Sequence, residues 1–316
     1  MTQAPTKLSV VAPATVANVG PGFDVFGLAL EGPCDRLEAW REGQEVVLES
    51  IEGDGGALPR AATENSAGIA ALDALARVRA RSGDEPGGLI LRLHKGIPLA
   101  SGLGSSAASA AAAVRAVDLL FPGVLTEEDL LLAGLAAEEV VAGRHLDNLA
   151  AALLGGFTTV VGLEPPRVRR VVPSFELALA VVTPDFGLCT ADSRSALPTE
   201  VPLREMVDHL AAAVEMVQAL HLGDRESFTA AIVDRVIGPV RAGKIPCCDE
   251  VLASASAAGA EAAGVSGGGP SLFAITPTRA VASRVAEAMV SAFSAGGLGA
   301  SAHSTVLSPK GAHRVA

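Results

Sequence analysis

The sequence predicts an α+β protein in two domains, and three observations predict it. The chain has 316 residues, more than the roughly 100–200 that commonly build one compact core. Hydrophobic residues make up 49% of it and charged residues 19%, the composition of a well-packed globular protein rather than a disordered or fibrous one. Strand-like and helix-like stretches alternate along its length, strands dominating the opening and a helix-strand mixture recurring near the close.

Strand-like segments at 8–12, 23–30, 35–41 and 45–50 are separated by Gly, Pro and charged residues, so the chain opens as a sheet. Thr63-Glu64-Asn65-Ser66 offers an N-cap to an Ala/Leu-rich helix ending near Ser82-Gly83-Asp84. Residues 88–94, GLILRLH, return to strand alternation. After a glycine-rich turn, residues 105–120 form a helix so rich in alanine that it must lie close against a neighbour. A further helix fits 126–141, capped by Thr126, with Glu127, Glu128 and Asp129 in the first turn where acids suit the helix dipole. Gly155-Gly156 breaks the pattern before a strand at 157–162.

The Pro165-Pro166 pair resists helix and sets the expected domain boundary near 163–167, dividing the chain into 1–163 and 164–316. Beyond it, strands at 168–173 and 176–183 precede helices at 201–220 and 225–233. Residues 249–263, 271–276, 278–296 and 300–307 then read helix, strand, helix, strand, a helical layer on an antiparallel sheet. No short-period repeat is present.

Composition also excludes partners. A net charge of -11, with no basic run to offset it, opposes attraction to nucleic acid and to anionic membrane. Cys34, Cys189, Cys247 and Cys248 lack the C-x-x-C spacing of a zinc site and read as small apolar residues in a reducing compartment. The first twenty residues carry no apolar core behind a basic start, and no stretch reaches about 18 uninterrupted apolar residues. A cytoplasmic protein is the expectation.

The chemistry is concentrated in Pro98-Leu99-Ala100-Ser101-Gly102-Leu103-Gly104-Ser105-Ser106-Ala107-Ala108, between a strand and a helix. Glycines let the backbone turn tightly, and the first amides of the following helix point unsatisfied hydrogens at an anion, which makes a phosphate cradle. Ser105 and Ser106 add hydroxyls for a phosphate oxygen or Mg²⁺. The plain alternative is a strand-to-helix turn with Ser105 as N-cap. The loose G-x-G-x-x-[GA] pattern of an NAD-type oxidoreductase also fits residues 102–107, but Gly96-Ile97-Pro98 interrupts the approaching strand and Asp118 falls within the helix. A Walker A loop fails for want of Gly-Lys-[Ser/Thr].

Residues 98–108 resemble the P-x-x-x-G-L-G-S-S-A-A loop of the GHMP kinases, the superfamily of galactokinase, homoserine kinase and mevalonate kinase. Pro13-Ala14-Thr15-Val16-Ala17-Asn18-Val19-Gly20-Pro21-Gly22-Phe23-Asp24 resembles its amino-terminal motif, and Val265-Ser266-Gly267-Gly268-Gly269-Pro270-Ser271 its carboxyl-terminal glycine motif. Within the superfamily, the wording around Asn18, His145-Leu146-Asp147-Asn148 and Pro239-Val240-Arg241 is similar to the homoserine kinases. The resemblance implies a two-domain GHMP kinase fold, a ribosomal-protein-S5-like amino-terminal domain and a ferredoxin-like carboxyl-terminal one. It further implies ATP and Mg²⁺, L-homoserine as the acceptor on the path to threonine, and an assembly for which dimers are common.

The same resemblance assigns roles. Arg194 and Arg241 form the clamp for the acceptor's carboxylate, as a guanidinium fork suits. Asp24 holds its ammonium, with Asn18 and His145 on other polar atoms. Ser105 and one of Glu138 and Glu139, with Glu138 the choice, hold Mg²⁺. Asn65 lies near the nucleotide base, or simply starts its helix. Thr190 touches the reacting phosphate, or caps the next helix. Asn148 stands where many relatives place an aspartate base, so catalysis rests on alignment and electrostatics. The first alternative is another GHMP small-molecule kinase with a different acceptor, of mevalonate or sugar type; an NAD-dependent oxidoreductase and a catalytically silent nucleotide-binding regulator are the others. Gly268 and the loosely matching Ser308-Pro309-Lys310-Gly311-Ala312 depart from the family wording.

Overall fold

The computed structural model describes residues 7–141, 143–188 and 190–316, without the side chains of residues 190–192. Its first sheet comprises β1 (Leu8–Ala17), β2 (Phe26–Arg41), β3 (Val46–Glu52), β4 (Leu89–His94), β5 (Phe157–Leu163), β6 (Pro166–Val171) and a late strand at His313–Val315. The strand order is the late strand, β1, β2, β4, β3, with β5 pairing β2 and β6 pairing β5. The two segments expected at 23–30 and 35–41 are one long β2, which pairs with β1 across an irregularity between Pro13 and Thr15.

Helices α1 (Ser66–Ser82), α2 (Ser105–Leu120), α3 (Glu127–Val141) and α4 (Asp147–Leu154) pack with this sheet. α1 starts where its sequence says it should: the Asn65 side chain accepts from the Ala67 amide, and Gly83 closes the helix in the left-handed conformation. α2 touches β1, β2, α1, α3 and α4. Every residue from Ala107 to Val114 is buried. Seven of the ten buried residues of α2 are alanines, and only so small a side chain lets a helix be surrounded this closely.

The second sheet takes β7 (Ala178–Pro184), β8 (Ala262–Val265), β9 (Leu272–Thr276) and β10 (Ala300–Val306) in the order β10-β7-β9-β8, all antiparallel. Around it lie α5 (Thr190–Ser195), α6 (Leu203–Leu222), α7 (Arg225–Ala230), α8 (Gly238–Ala242), α9 (Cys248–Ala257) and α10 (Arg279–Ala295). α9 and α10 bury Val251, Val285, Met289 and Phe293 against one side, giving a core of its own. Leu179, Val181, Phe273 and Ile275 instead join the large core of the first sheet, together with Met216 and Phe228. β11 (His313–Val315) carries the chain back to pair with β1.

Two expectations change. The 163–167 turn is the tip of the β5–β6 hairpin, with Leu163 opposite Pro166, so the passage to the second sheet lies between Val171 and Ala178. The helix expected over 249–263 stops at Ala257, and Ala262–Val265 is a strand, because pairing with β9 overrides the helix preference of its alanines.

Candidate functional site

Two segments distant in sequence lock the glycine-rich loop in place. Ala100, Gly102 and Gly104 all take positive φ, at 51°, 81° and 66°. The Thr15 amide donates to the Leu103 carbonyl at 3.0 Å, and the Ser271 amide to the Ser101 carbonyl at 3.0 Å. Ser266 Oγ donates to the Gly102 carbonyl at 2.8 Å. A Cβ on Gly104 would overlap Thr15 Oγ1 and come within 2.8 Å of Asn148 Oδ1, so only glycine fits. All three sequence blocks therefore meet at one point.

The capping alternative is not realised. Gly104 is the N-cap of α2 and makes no side-chain cap hydrogen bond, while Ser105 Oγ donates to the Ile97 carbonyl at 3.1 Å. The opening amides of a long, buried helix are thus left for an anion.

Beneath the loop lies a pair that sequence reasoning missed. Lys95 Nζ pairs with the Asp35 carboxylate and donates to the Ser105 carbonyl at 2.9 Å and to Ser109 Oγ at 2.8 Å. Asp35 is 0% and the Lys95 side chain 2% exposed. Burial lowers the Lys95 pKa, and Asp35 opposes that shift. The other carboxylate oxygen accepts from the Gly96 and Ile97 amides at 3.0 and 3.1 Å. All three ammonium hydrogens are committed to protein atoms, so the lysine fixes the first turn of α2 from below. Register brings the pair together, since Arg36 opposite His94 places residues 35 and 95 side by side. A lone lysine between an alternating strand and a glycine-rich turn was the available signal.

A cavity of about 1080 Å³ opens over the loop. One part of its lining is apolar, from Leu58, Pro59, Leu99, Val140 and Val141. A second carries Lys95, Ser105, Ser106 and Glu138, and a third His145, Asn148, Arg194, Gly267 and Gly268. Asn65 is also on the wall, but both ends of its side chain are engaged, by the Ala67 amide and by the Pro59 carbonyl at 3.0 Å. Its helix-starting role is the one the geometry displays.

Glu138 and Glu139 separate clearly. Glu139 is exposed, whereas Glu138 is 4% exposed on the buried side of α3. Its Oε1 is buried with no hydrogen-bond partner. Desolvation pushes its pKa up to about 7, against a hydrogen bond with Ser106 that lowers it. An orphaned carboxylate oxygen beside serine hydroxyls fits a hard cation such as Mg²⁺. Among the described residues no three His, Cys, Asp or Glu converge, so phosphate oxygens would complete such a shell.

Asp147 is a second raised carboxyl. Burial, and then the Asp24 charge, pushes it up to about 6, opposed by the Asn148 amide, His145 and Arg241. For acids raised in the fold, the folded state holds the proton longer than the unfolded chain, so stability is full below the unfolded pKa and falls as pH rises through the folded one. Relative to Glu138→Gln, the ligand-free protein should therefore lose melting temperature between pH 4.5 and about 7. Parallel melting curves for the two proteins across that range would refute the burial argument.

The remaining predicted residues gather around Phe23. Arg194 donates to Asp24 Oδ1 at 2.6 Å and lies 3.4 Å from His145 Nδ1. Asn18 Oδ1 accepts the Asp24 amide at 2.8 Å, and both residues hold positive φ, 58° and 56°. Arg241 is 5% exposed and donates to the Gly267 carbonyl at 2.5 Å. The two arginines do not share one cavity: Arg241 and Asn18 line a smaller one of about 260 Å³, while Arg194 faces the large one. The Thr190 side chain and Cys189 lie outside the described residues.

Comparison with known proteins agrees with this geometry. The model of the GHMP kinases N terminal domain matches residues 69–156, and that of the GHMP kinases C terminal domain residues 203–295. A homoserine kinase of Pyrococcus abyssi is 39% identical over 274 residues, 85% of this chain and 87% of that protein. One from Arabidopsis thaliana is 39% identical over 294 residues, 91% of this chain and 78% of that protein. The crystal structure of homoserine kinase from Cytophaga hutchinsonii matches with a TM-score of 0.92 at 32% identity, covering 100% of this chain and 99% of that one. With both halves matched and such relatives spanning most of its length, the chain belongs to the GHMP kinase family, in the branch its homoserine kinase relatives define.

Proposed function

We propose that the protein transfers the γ-phosphoryl group of ATP to the side-chain hydroxyl of L-homoserine, giving O-phospho-L-homoserine on the route to threonine, in the cytoplasm. The observation that carries this reading is a juxtaposition. The uncapped start of α2 lines one cavity with a cluster of Arg194 and His145, and Arg194 has Asp24 as its ion-pair partner. The first complements a polyphosphate; the second complements the ammonium and carboxylate of an amino acid. The homoserine kinase names of the relatives single out the acceptor.

In this reading the α2 amides and the 98–108 loop hold the phosphates, and the apolar walls take the base. Asp24 receives the ammonium, while Arg194 and Arg241 receive the carboxylate. Asp24 must then exchange its bond to Arg194 for one to substrate, which leaves that guanidinium available. Ser105 and Glu138 would hold Mg²⁺, which supplies neutralisation of the charge spreading over the transferred group. Asn148 accepts from Thr15 Oγ1 at 2.7 Å and carries no basic oxygen, so the hydroxyl proton leaves late, to the phosphate itself. Thr190 borders the reacting phosphate.

The test is ATP consumption by the purified protein with Mg²⁺ and each of homoserine, mevalonate and galactose. Homoserine should give a kcat/KM at least about 100-fold above the others, since both lack the ammonium, and galactose the carboxylate as well, which leaves charged site groups unpaired. Equal rates with mevalonate or galactose would end the acceptor assignment. No ATP turnover with any acceptor, together with tight ATP binding, would favour a silent regulator.

A further inference from the structure

In the sequence Phe23 has no role beyond the start of a strand-like segment and a place in the amino-terminal motif, yet among the described residues its ring is the one in contact with both arginines of the charged cluster. Its ring centroid lies 5.2 Å from the Arg194 guanidinium carbon and 5.1 Å from that of Arg241. The two guanidiniums approach from different elements, Arg194 from α5 and Arg241 from α8. Each lines a different cavity.

Two like charges so near one another repel, and Arg194 is among the groups that lower the Arg241 pKa, after burial as the larger cause. The negative face of an aromatic ring attracts a cation, by about 0.5–1 kcal/mol in water and more when desolvated. An aliphatic residue of similar bulk would fill the volume without that attraction. The ring is itself fixed in place. The Val25 and Phe26 amides both donate to the Gly22 carbonyl, at 3.0 and 2.8 Å, and Asn18 Oδ1 holds the Asp24 amide. A rigid turn thus presents one ring to two charges borne on separate helices.

We propose that Phe23 is a positioning residue for acceptor recognition, its ring fixing the spacing between Arg194 and Arg241 so that both guanidiniums meet a single carboxylate. The inference rests on the homoserine kinase reading. It adds that discrimination for a carboxylate-bearing acceptor is set by an aromatic side chain that makes no polar contact with substrate. A leucine at 23 leaves the repulsion between the two guanidiniums without the ring's attraction to offset it, and the two forks no longer converge.

The experiment compares Phe23→Leu and Phe23→Tyr with the wild-type protein, using homoserine and 3-aminopropan-1-ol, which is homoserine with hydrogen in place of its carboxylate. The amino alcohol is measured as a competitive inhibitor of homoserine phosphorylation, so it reports binding whether or not it is phosphorylated. F23L should raise the homoserine KM about tenfold, while the inhibition constant of the amino alcohol and the ATP KM stay within about twofold. F23Y, which keeps the ring, should stay within about threefold of wild type for homoserine. An unchanged homoserine KM in F23L overturns the proposal. So does a parallel loss for both acceptor ligands or for ATP, which would show general disruption of the turn. If the wild-type protein binds the amino alcohol as tightly as homoserine, carboxylate recognition fails and the proposal with it, whereas the kinase reading stands on homoserine turnover itself.

Discussion

Gly102→Ala should lower kcat/KM for ATP by at least about 100-fold. At φ 81° an added Cβ would stand 2.5 Å from the Ser266 carbonyl oxygen and 2.6 Å from that of Gly269. Both obstacles are backbone, so neither can swing aside, and the loop must move instead. A displacement near 1 Å at a site that works by alignment costs on the order of 100-fold in rate. The left-handed conformation adds a strain of about 1–2 kcal/mol for any residue with a Cβ. Gly123 separates the two effects. It holds φ 78° with nothing within 4 Å of its added Cβ. Gly123→Ala should therefore lose some melting temperature and keep its kinetics. Steady-state kinetics beside thermal melts check both, and a G102A enzyme with wild-type ATP parameters would show that the loop does not bear on the nucleotide.

Arg241→Met should raise the homoserine KM about 100-fold and move the ATP KM by less than about threefold. Methionine keeps an apolar stem for the buried site while removing the charge, so packing loss is limited. Leaving a substrate carboxylate without its buried partner costs 2–5 kcal/mol, and about 2.7 kcal/mol corresponds to 100-fold. The nucleotide arm decides the interpretation. Arg241 also donates to the Gly267 carbonyl, and Gly267 lies against Gly102, where its own Cβ would come within 2.9 Å of the Gly102 carbonyl oxygen. If the ATP KM rises as much as the homoserine KM, the arginine acts by bracing the loop rather than by meeting the acceptor.

What could be read directly from the chain is what short-range chemistry determines. The Asn65 cap, the Gly83 stop and the alanine run of α2 need no distant partner to be recognised. The burial of Glu138 follows the helical period, with Leu131, Gly134, Leu135 and Glu138 on one buried face, although the family wording by itself leaves Glu138 and Glu139 both open. The missed features depend on pairing across the fold. Ala262–Val265 looks helical until β9 lies beside it, and β11 has three residues whose only warrant is β1. A proline pair marks a hairpin tip as readily as a linker, which is why the passage between sheets was placed too early. Asp35 and Lys95 are sixty positions apart and meet only through strand register. Phe23 gained meaning only when two helices brought their charges to it.

The polypeptide passes between the two sheets twice, near residues 171–178 and again beyond Val306, and the two passages are hydrogen-bonded to each other, the Leu307 amide donating to the Leu177 carbonyl at 2.9 Å. Leu30 bridges to Leu307, and the Ser308 amide donates to the Ala29 carbonyl at 2.8 Å. A protease cut in one passage would therefore leave the two sheets still stapled by the other, and by the core they share.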